Sequence, residues 1–272
     1  MKNKLSELND YIKSCGKVLV AYSGGIDSSF MLKLCSEAVG RKNVLAVTGA
    51  SETFTDIELS GAKKFAKSIG VEHVVITTNE IDNPDFRSNT PLRCYHCKKE
   101  FYTKIAEVAK KRGFKYIFDG SNSDDTSDYR PGRKAAQEAG VISPLIKFGI
   151  SKLELRKLAR KMGIKMWDKP SNPCLASRVP YGEEITQGKL DMIHKGETFL
   201  RKNGFRNVRV RHHGKVARIE VPEKEILKLM KEPLRSNILK EFKKYGFTWT
   251  SVDLKGYRTG SLNEVLGLKK RG

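Results

Sequence analysis

The stretch Ala21-Tyr22-Ser23-Gly24-Gly25-Ile26-Asp27-Ser28-Ser29 constrains this chain more than any other. An apolar run, Val18 to Ala21, precedes it and has the character of a buried parallel strand. The helix that it opens carries Phe30, Met31 and Leu34 on its apolar side. A glycine-bearing turn between strand and helix is a phosphate cradle. The glycines let backbone approach an anion, the Ser23 and Ser28 hydroxyls donate, and the first N–H groups of the helix favour negative charge. The spacing is neither the Walker pattern, with its phosphate-gripping lysine, nor the G-x-G-x-x-G dinucleotide fingerprint. An ordinary strand-to-helix turn is the plainer alternative.

The order Ser23-Gly24-Gly25-Ile26-Asp27-Ser28 resembles the S-G-G-x-D-S signature of the PP-loop ATP pyrophosphatases. That resemblance implies cleavage of ATP between its α and β phosphates and adenylation of a substrate. Ser23, Gly24, Gly25, Asp27, Ser28 and Ser29 are then the nucleotide-binding residues, with Asp27 also a catalytic candidate.

Periodicity extends the pattern. After a leading helix over about Leu5 to Lys13 come strand Val18 to Tyr22, helix Ser28 to Ala38, strand Val44 to Thr48, helix Asp56 to Ile69 and strand Glu72 to Thr77. In the helix from Asp56, the four-residue repeat Ile57, Gly61, Phe65, Ile69 predicts the buried face. A polar segment, Asn79 to Thr90, leads to a helix over Lys98 to Lys111 with Phe101, Ile105 and Val108 inward, then a strand from Tyr116 to Asp119. Val141 to Leu145 reads as a last short strand, and Ser151 with Glu154 as the capping box of a helix to Met162. Alternating strands and helices make the fold class α/β, a doubly wound parallel sheet whose ligands bind at the carboxyl ends of the strands. Gly120, after the strand ending at Asp119, therefore faces the nucleotide as well. Asp124, Asp125 and Asp128 in the same loop suit Mg²⁺ on the leaving pyrophosphate, or are an acidic surface loop.

Residues 1–166 form the ATP-binding domain on this reading, and 167–185, with three prolines between Trp167 and Pro180, an active-site loop and linker. Residues 186–272 form a smaller α+β domain for substrate binding and oligomerisation. It has a helix over Thr186 to Lys202, a hairpin of Asn207 to Arg211 and Lys215 to Val221, helical material from Glu223 to Tyr245 and a strand from Thr248 to Leu254.

Composition sets outer bounds. Lys and Arg outnumber Asp and Glu by 52 to 31, which suits nucleic acid or a phosphorylated, carboxylate-bearing ligand, or is simply a set of solvated helix faces such as Lys63, Lys64 and Lys67. With neither a long apolar run nor a signal peptide, the expectation is a cytoplasmic protein without a membrane span.

Five cysteines in such a chain argue against a disulfide framework. Cys94 and Cys97 have C-x-x-C spacing, and a third thiolate from Cys174 completes the ligand set of a [4Fe–4S] cluster with one open iron. A redox C-x-x-C, a zinc site with His96 or another ligand, and no cofactor at all are the alternatives. Cys174 is equally placed to be a nucleophile whose pKa Arg178 lowers. Cys15 and Cys35 read as small buried hydrophobes.

Taken together, the loop at Ser23, the segment Gly120 to Asp125, Pro173-Cys174-Leu175-Ala176-Ser177-Arg178, Arg209-Val210-Arg211 and Gly256-Tyr257-Arg258-Thr259-Gly260-Ser261 resemble the LarE family of ATP-dependent sulfur transferases. The resemblance covers nearly the whole chain. It implies adenylation of a carboxylate of pyridinium-3,5-dicarboxylate mononucleotide, loss of pyrophosphate, and displacement of AMP by sulfur. In one branch the cysteine matching Cys174 is sacrificed. In the other, cysteines matching Cys94, Cys97 and Cys174 hold a cluster whose open iron carries sulfide, and this chain resembles that branch. Cys174, Asp27 and Arg178 are the candidate catalytic residues, and Arg178, Arg209 and Arg211 the candidates for substrate phosphate and carboxylates. Arg209 and Arg211 share one face of the hairpin, a solvated edge being the alternative, and Arg218 with Glu220 reads as a surface ion pair. ATP, Mg²⁺ and the cluster are the expected cofactors, a sulfide or persulfide donor the expected source, and a homo-oligomer the expected state. tRNA thiolation is the second enzymatic reading; no RNA-binding domain precedes the loop, no further C-x-x-C pairs occur, and aromatics do not interleave with the basic residues. A nucleotide- or RNA-binding module without catalysis is the third.

Overall fold

A computed structural model describes residues 2–126, 131–170, 172–258 and 260–267. The chain forms two compact units, one of Met1–Glu80 with Leu92–Asn172 and one of Ile81–Pro91 with Pro173–Gly272.

The first unit runs α1 (Lys2–Cys15), β1 (Val18–Ala21), α2 (Ile26–Val39), β2 (Val44–Ala50), α3 (Asp56–Ser68) and β3 (Glu72–Thr77). The turn α4 (Pro84–Arg87) belongs to the second unit, and the first resumes with α5 (Arg93–Arg112), β4 (Tyr116–Phe118), α6 (Gly132–Glu138), α7 (Pro144–Lys147) and α8 (Lys152–Lys161). Its four strands are parallel in the order β3-β2-β1-β4, with Val18 opposite both Val44 and Tyr116. All of β1 is buried, and its alternation divides the core. Val18 and Val20 join Phe30, Met31 and Leu155 on one side, while Leu19 and Ala21 join Phe101 and Ile105 on the other. Helices on both faces of a parallel sheet make this the doubly wound α/β class. The chain leaves β1 for β2 on one side and later for β4 on the other, so the crevice at their carboxyl ends is the topological switch point.

Three local expectations give way to packing. In α3 the buried residues are Ala62 and Ala66, Phe65 and Ile69 are half-buried, and Ile57 is 65% exposed. The cause is proximity: a Cβ at Gly24 would lie 2.9 Å from the Ala62 Cβ, so only a small side chain fits against the loop. Val141 to Leu145 makes a single bridge, Phe118 to Ile142, rather than a strand. Pro144 ends the ladder because it has no N–H to give and its fixed φ suits the first turn of α7. Finally, α5 begins at Arg93, so Cys94 and Cys97 lie within its first two turns instead of in a loop before it.

The second unit has α9 (Gln187–Lys202), the hairpin β5 (Arg209–His213) and β6 (Val216–Glu220), α10 (Ile226–Leu229), α11 (Leu234–Lys244) and β7 (Trp249–Val252). Strand order is β5-β6-β7, antiparallel then parallel, over a core of Leu200, Phe205, Val210, Ile219, Phe242 and Phe247. The helical stretch read from Glu223 to Tyr245 is divided, with Pro233 capping the start of α11. No helix among the described residues is long and apolar enough to cross a membrane.

The α3 geometry has a direct test by urea denaturation. Ile57→Lys shifts stability by less than about 0.5 kcal/mol, as for an exposed site. Ala62→Leu lowers it by about 1–3 kcal/mol through overpacking against the loop.

Candidate active site

The Ser23 loop lies at the switch point and is tied by its own hydroxyls. Ser28 Oγ accepts from the Ser23 N–H (3.2 Å) and donates to the Gly25 carbonyl (3.2 Å), and the Ser23 and Ser28 hydroxyls are 3.1 Å apart. Gly24 has φ +69°, which a side chain rarely adopts. A Cβ at Gly120 would come within 2.6 Å of the Ser28 nitrogen, so the chain leaving β4 presses on the first turn of α2. Below the loop, Thr48 Oγ1 donates to the Tyr22 carbonyl (2.5 Å) and accepts from His73 Nε2 (2.8 Å). Burial, reinforced by Lys63, lowers the His73 pKa and keeps the ring neutral. Burial pushes the Tyr22 phenol up to about 12, so it stays an O–H within 3.4 Å of Ser29 Oγ.

Asp27 has a partner that the sequence reading missed. Lys152 Nζ pairs with both of its carboxylate oxygens, and the Lys152 N–H donates to Asp124 Oδ2 (3.1 Å). Lys152 is the first residue of α8, fixed by the capping box of Ser151 and Glu154. That box is the signal that could have found it, because helices following strands begin at the sheet's carboxyl edge. Asp125 is buried and its Oδ2 accepts from the Asn122 N–H (3.0 Å), whereas Asp124 is exposed. Asp128 lies outside the described residues.

Cys94 and Cys97, three apart on α5, share a face. Cys94 is exposed and Cys97 half-buried. The Cys97 thiol donates to Oε1 of the buried Glu80 (3.2 Å), whose Oε2 accepts from Thr53 Oγ1 (2.9 Å). Beside them, Lys98 Nζ lies 5.1 Å and 5.5 Å from the ring centroids of Phe101 and Tyr102. Its acidic neighbours, Tyr102 first and then Cys97, Asp119 and Glu80, push its ammonium pKa up, and burial opposes. His96 meets the Tyr95 ring edge-on, with centroids 5.4 Å apart. All five cysteines are thiols; burial raises Cys35, and raises Cys15 against weaker hydrogen bonds. Among the described residues, no three His, Cys, Asp or Glu side chains gather to hold a metal ion.

In the second unit Cys174 caps a short helical turn, Leu175–Arg178, and its carbonyl accepts from the Ser177 N–H (3.0 Å). Arg178 is wholly buried and orients this turn. Its Nη1 donates to the carbonyls of Pro173 (2.6 Å) and Cys174 (3.0 Å), while Nε and Nη2 grip Glu197 at 2.8 and 3.1 Å. Glu197, also wholly buried, accepts further from Arg201 Nη2 (2.6 Å) and the Val210 N–H (3.2 Å). Burial alone would raise its pKa, but the Arg178 charge and hydrogen bonds, with Arg209 and Arg201, hold it below the usual carboxylate range.

The other two arginines are likewise engaged within the unit. Arg211 grips Glu220 through Nε (3.0 Å) and Nη2 (2.9 Å), and donates to the Ser177 carbonyl and to Ser261 Oγ, each at 2.6 Å. Arg209 donates to the Val208 carbonyl (2.7 Å) and lies over the Tyr257 ring (5.1 Å). Burial, then Arg178, lowers its pKa. Neither arginine is a solvated edge, and Arg218 with Glu220 is no surface pair, since Glu220 is fully buried.

Comparison with known proteins places these features in a wider group. The NAD synthase family model matches residues 1–105. An uncharacterized protein of Synechocystis, slr1717, is 40% identical over 98% of this chain and 99% of its own length. The pyridinium-3,5-bisthiocarboxylic acid mononucleotide synthase of Lactiplantibacillus plantarum is 36% identical over 98% of this chain and 96% of its own. An uncharacterized protein of Methanocaldococcus jannaschii, MJ0830, is 32% identical over 89% of this chain and 91% of its own.

Breaking the buried pair tests its role. Arg178→Met strands the Glu197 charge and costs about 3–5 kcal/mol in urea denaturation, and adding Glu197→Leu recovers part of the loss. Because the folded-state pKa of Glu197 is depressed, its contribution is present above about pH 4.5, its ordinary value, and is lost as the pH falls below that. Glu197→Gln removes this acid-sensitive component from the stability profile.

Proposed function

Because the chain belongs to the LarE family of PP-loop, ATP-dependent sulfur transferases, we propose that it converts a carboxylate of pyridinium-3,5-dicarboxylate mononucleotide to a thiocarboxylate. What supports this reading is a likeness to the synthase that runs the length of both chains. The carboxylate oxygen attacks the α phosphorus of ATP, the bond to the β-phosphate oxygen breaks, and pyrophosphate leaves. A sulfur nucleophile then adds to the acyl carbon, and the bond to AMP breaks, giving the thiocarboxylate.

The Ser23 loop, with Gly24, Gly25, Ser28, Ser29 and Gly120, carries the nucleotide. Its N–H groups and hydroxyls meet the charge that develops on the phosphates. Asp124 would supply an oxygen ligand for Mg²⁺, an ion that binds through one or two carboxylates and the phosphates themselves, while Lys152 holds both oxygens of Asp27. Arg178 positions Cys174 through its carbonyl. Arg209 and Arg211 lend positive potential to the substrate's phosphate and carboxylates from within the network that holds them.

Cys94, Cys97 and Cys174 would hold a [4Fe–4S] cluster. The donor set fits in chemistry: Cys94 and Cys97 share a helix face, three residues apart, and thiolates are the ligands such a cluster takes. Such a cluster supplies an iron with an open position for sulfide. A sulfide or persulfide donor provides the sulfur, and five thiols suit a reducing cytoplasm. The second unit, which exposes Leu227, Trp249 and Leu254, supplies contacts between copies of the chain.

Three measurements test the reading. Protein purified without oxygen is brown and carries about four irons per chain. Cys174→Ala abolishes sulfur transfer yet binds ATP; a colourless protein holding one zinc, or an active Cys174→Ala, overturns the assignment. Gly120→Ala, whose Cβ would meet the Ser28 nitrogen at 2.6 Å, weakens ATP binding in calorimetry by about tenfold, roughly 1.4 kcal/mol.

A further inference from the structure

Asn89 lies in the segment Ile81–Pro91, which folds with the second unit although ninety residues separate Asn89 from Val179. It is completely buried, and at φ +53° it is the only non-glycine residue with positive φ among those described. A left-handed conformation is unfavourable for a residue with a Cβ, and asparagine tolerates it better than most. What accompanies that strain is a clasp. The Asn89 amide nitrogen donates to the carbonyls of Pro180 (2.7 Å), Glu183 (3.0 Å) and Val179 (3.3 Å). Its own carbonyl accepts from the Gly182 N–H (3.1 Å), and the Arg87 carbonyl accepts from the Ile185 N–H (2.9 Å). Arg87 also pairs with Glu184 at 2.9 Å, and Phe86 is buried beneath.

These contacts fall on the chain that leaves the Cys174 turn, and the Arg178 contacts fall on Pro173, Cys174 and Ser177 within it. The turn is thereby held from both ends. We propose that Asn89 is a positioning residue for Cys174. It fixes the exit of the turn so that the sulfur keeps one orientation. A reacting atom displaced by about 1 Å can lose about a hundredfold in rate, so a loosened turn uncouples adenylation from sulfur transfer. The inference rests on the proposed reading of Cys174 as a cluster ligand on which sulfur transfer depends.

The test uses the full chain with Asn89→Ala and Asn89→Gly. Glycine accepts the positive φ but has no amide, so it separates the clasp from the backbone turn. Two readouts apply: iodoacetamide labelling of each cysteine followed by mass spectrometry, and thiocarboxylate formed per pyrophosphate released from ATP with pyridinium-3,5-dicarboxylate mononucleotide. In both variants Cys174 labels at least about tenfold faster, with Cys35 unchanged, and thiocarboxylate per pyrophosphate falls at least about tenfold while the KM for ATP holds. If Asn89→Ala does not fold, Asn89→Gly carries the test, since it relieves the strained φ. Parental labelling and coupling in Asn89→Gly overturn the inference. Sulfur transfer that survives in Cys174→Ala overturns the underlying reading instead, and the labelling rate still decides the clasp.

Discussion

The first unit depends on how closely two pieces of backbone approach at the carboxyl edge of its sheet. The chain leaving β4 meets the first turn of α2 at Gly120, where the nearest backbone nitrogen would be 2.6 Å from any added Cβ. Gly24 likewise brings the loop against Ala62 of α3, whose Cβ would be 2.9 Å from an added Cβ. A loop squeezed between two neighbours has few conformations to lose, which is the preorganisation that the proposed nucleotide site needs. The serine hydroxyls reinforce this by bonding to each other and to the loop carbonyl. The ammonium of Lys152 keeps the Asp27 carboxylate from opposing an incoming polyphosphate.

The second unit uses charge for the same purpose. Glu197 and Glu220 are both without exposed surface, and each is gripped by an arginine that also holds carbonyls of the Cys174 turn. Buried pairs contribute little net stability, because desolvation offsets most of the attraction. What they impose is geometry, since the planar fork of a guanidinium accepts only a narrow range of carboxylate positions. The same argument alters the role of the arginines. Residue types alone suggested groups offered to a ligand, but Arg178 and Arg211 spend most of their donors on the protein that surrounds Cys174.

Much of this was legible in the sequence where local chemistry decides the outcome. The Ser23 loop, the capping box at Ser151 and the alternation through β1 each follow from a few adjacent residues. The α3 face was not, because two interleaved four-residue repeats both satisfy the helical period, and the choice fell to the missing Cβ of Gly24. Pro144 could have warned against a strand at Val141 to Leu145. Glu80 and Glu197 were invisible for a different reason: their partners lie 17 and 19 residues away and are brought together only by the fold. The polar stretch before the C-x-x-C gave no periodic signal at all, yet it contains the most highly constrained asparagine of the chain.

The discontinuity of the second unit carries a consequence for how the chain is made. Asn89 emerges from the ribosome ninety residues before Val179, the first residue that its side chain clasps. At roughly 5–20 residues per second, that interval lasts about 5–20 s. During it the first unit gains its second stretch, Leu92–Asn172, while the strap ahead of Cys94 has nothing to fasten to. The nascent protein thus presents Cys94 and Cys97 on a helix whose lead-in is still loose, and only the arrival of the later segment closes it.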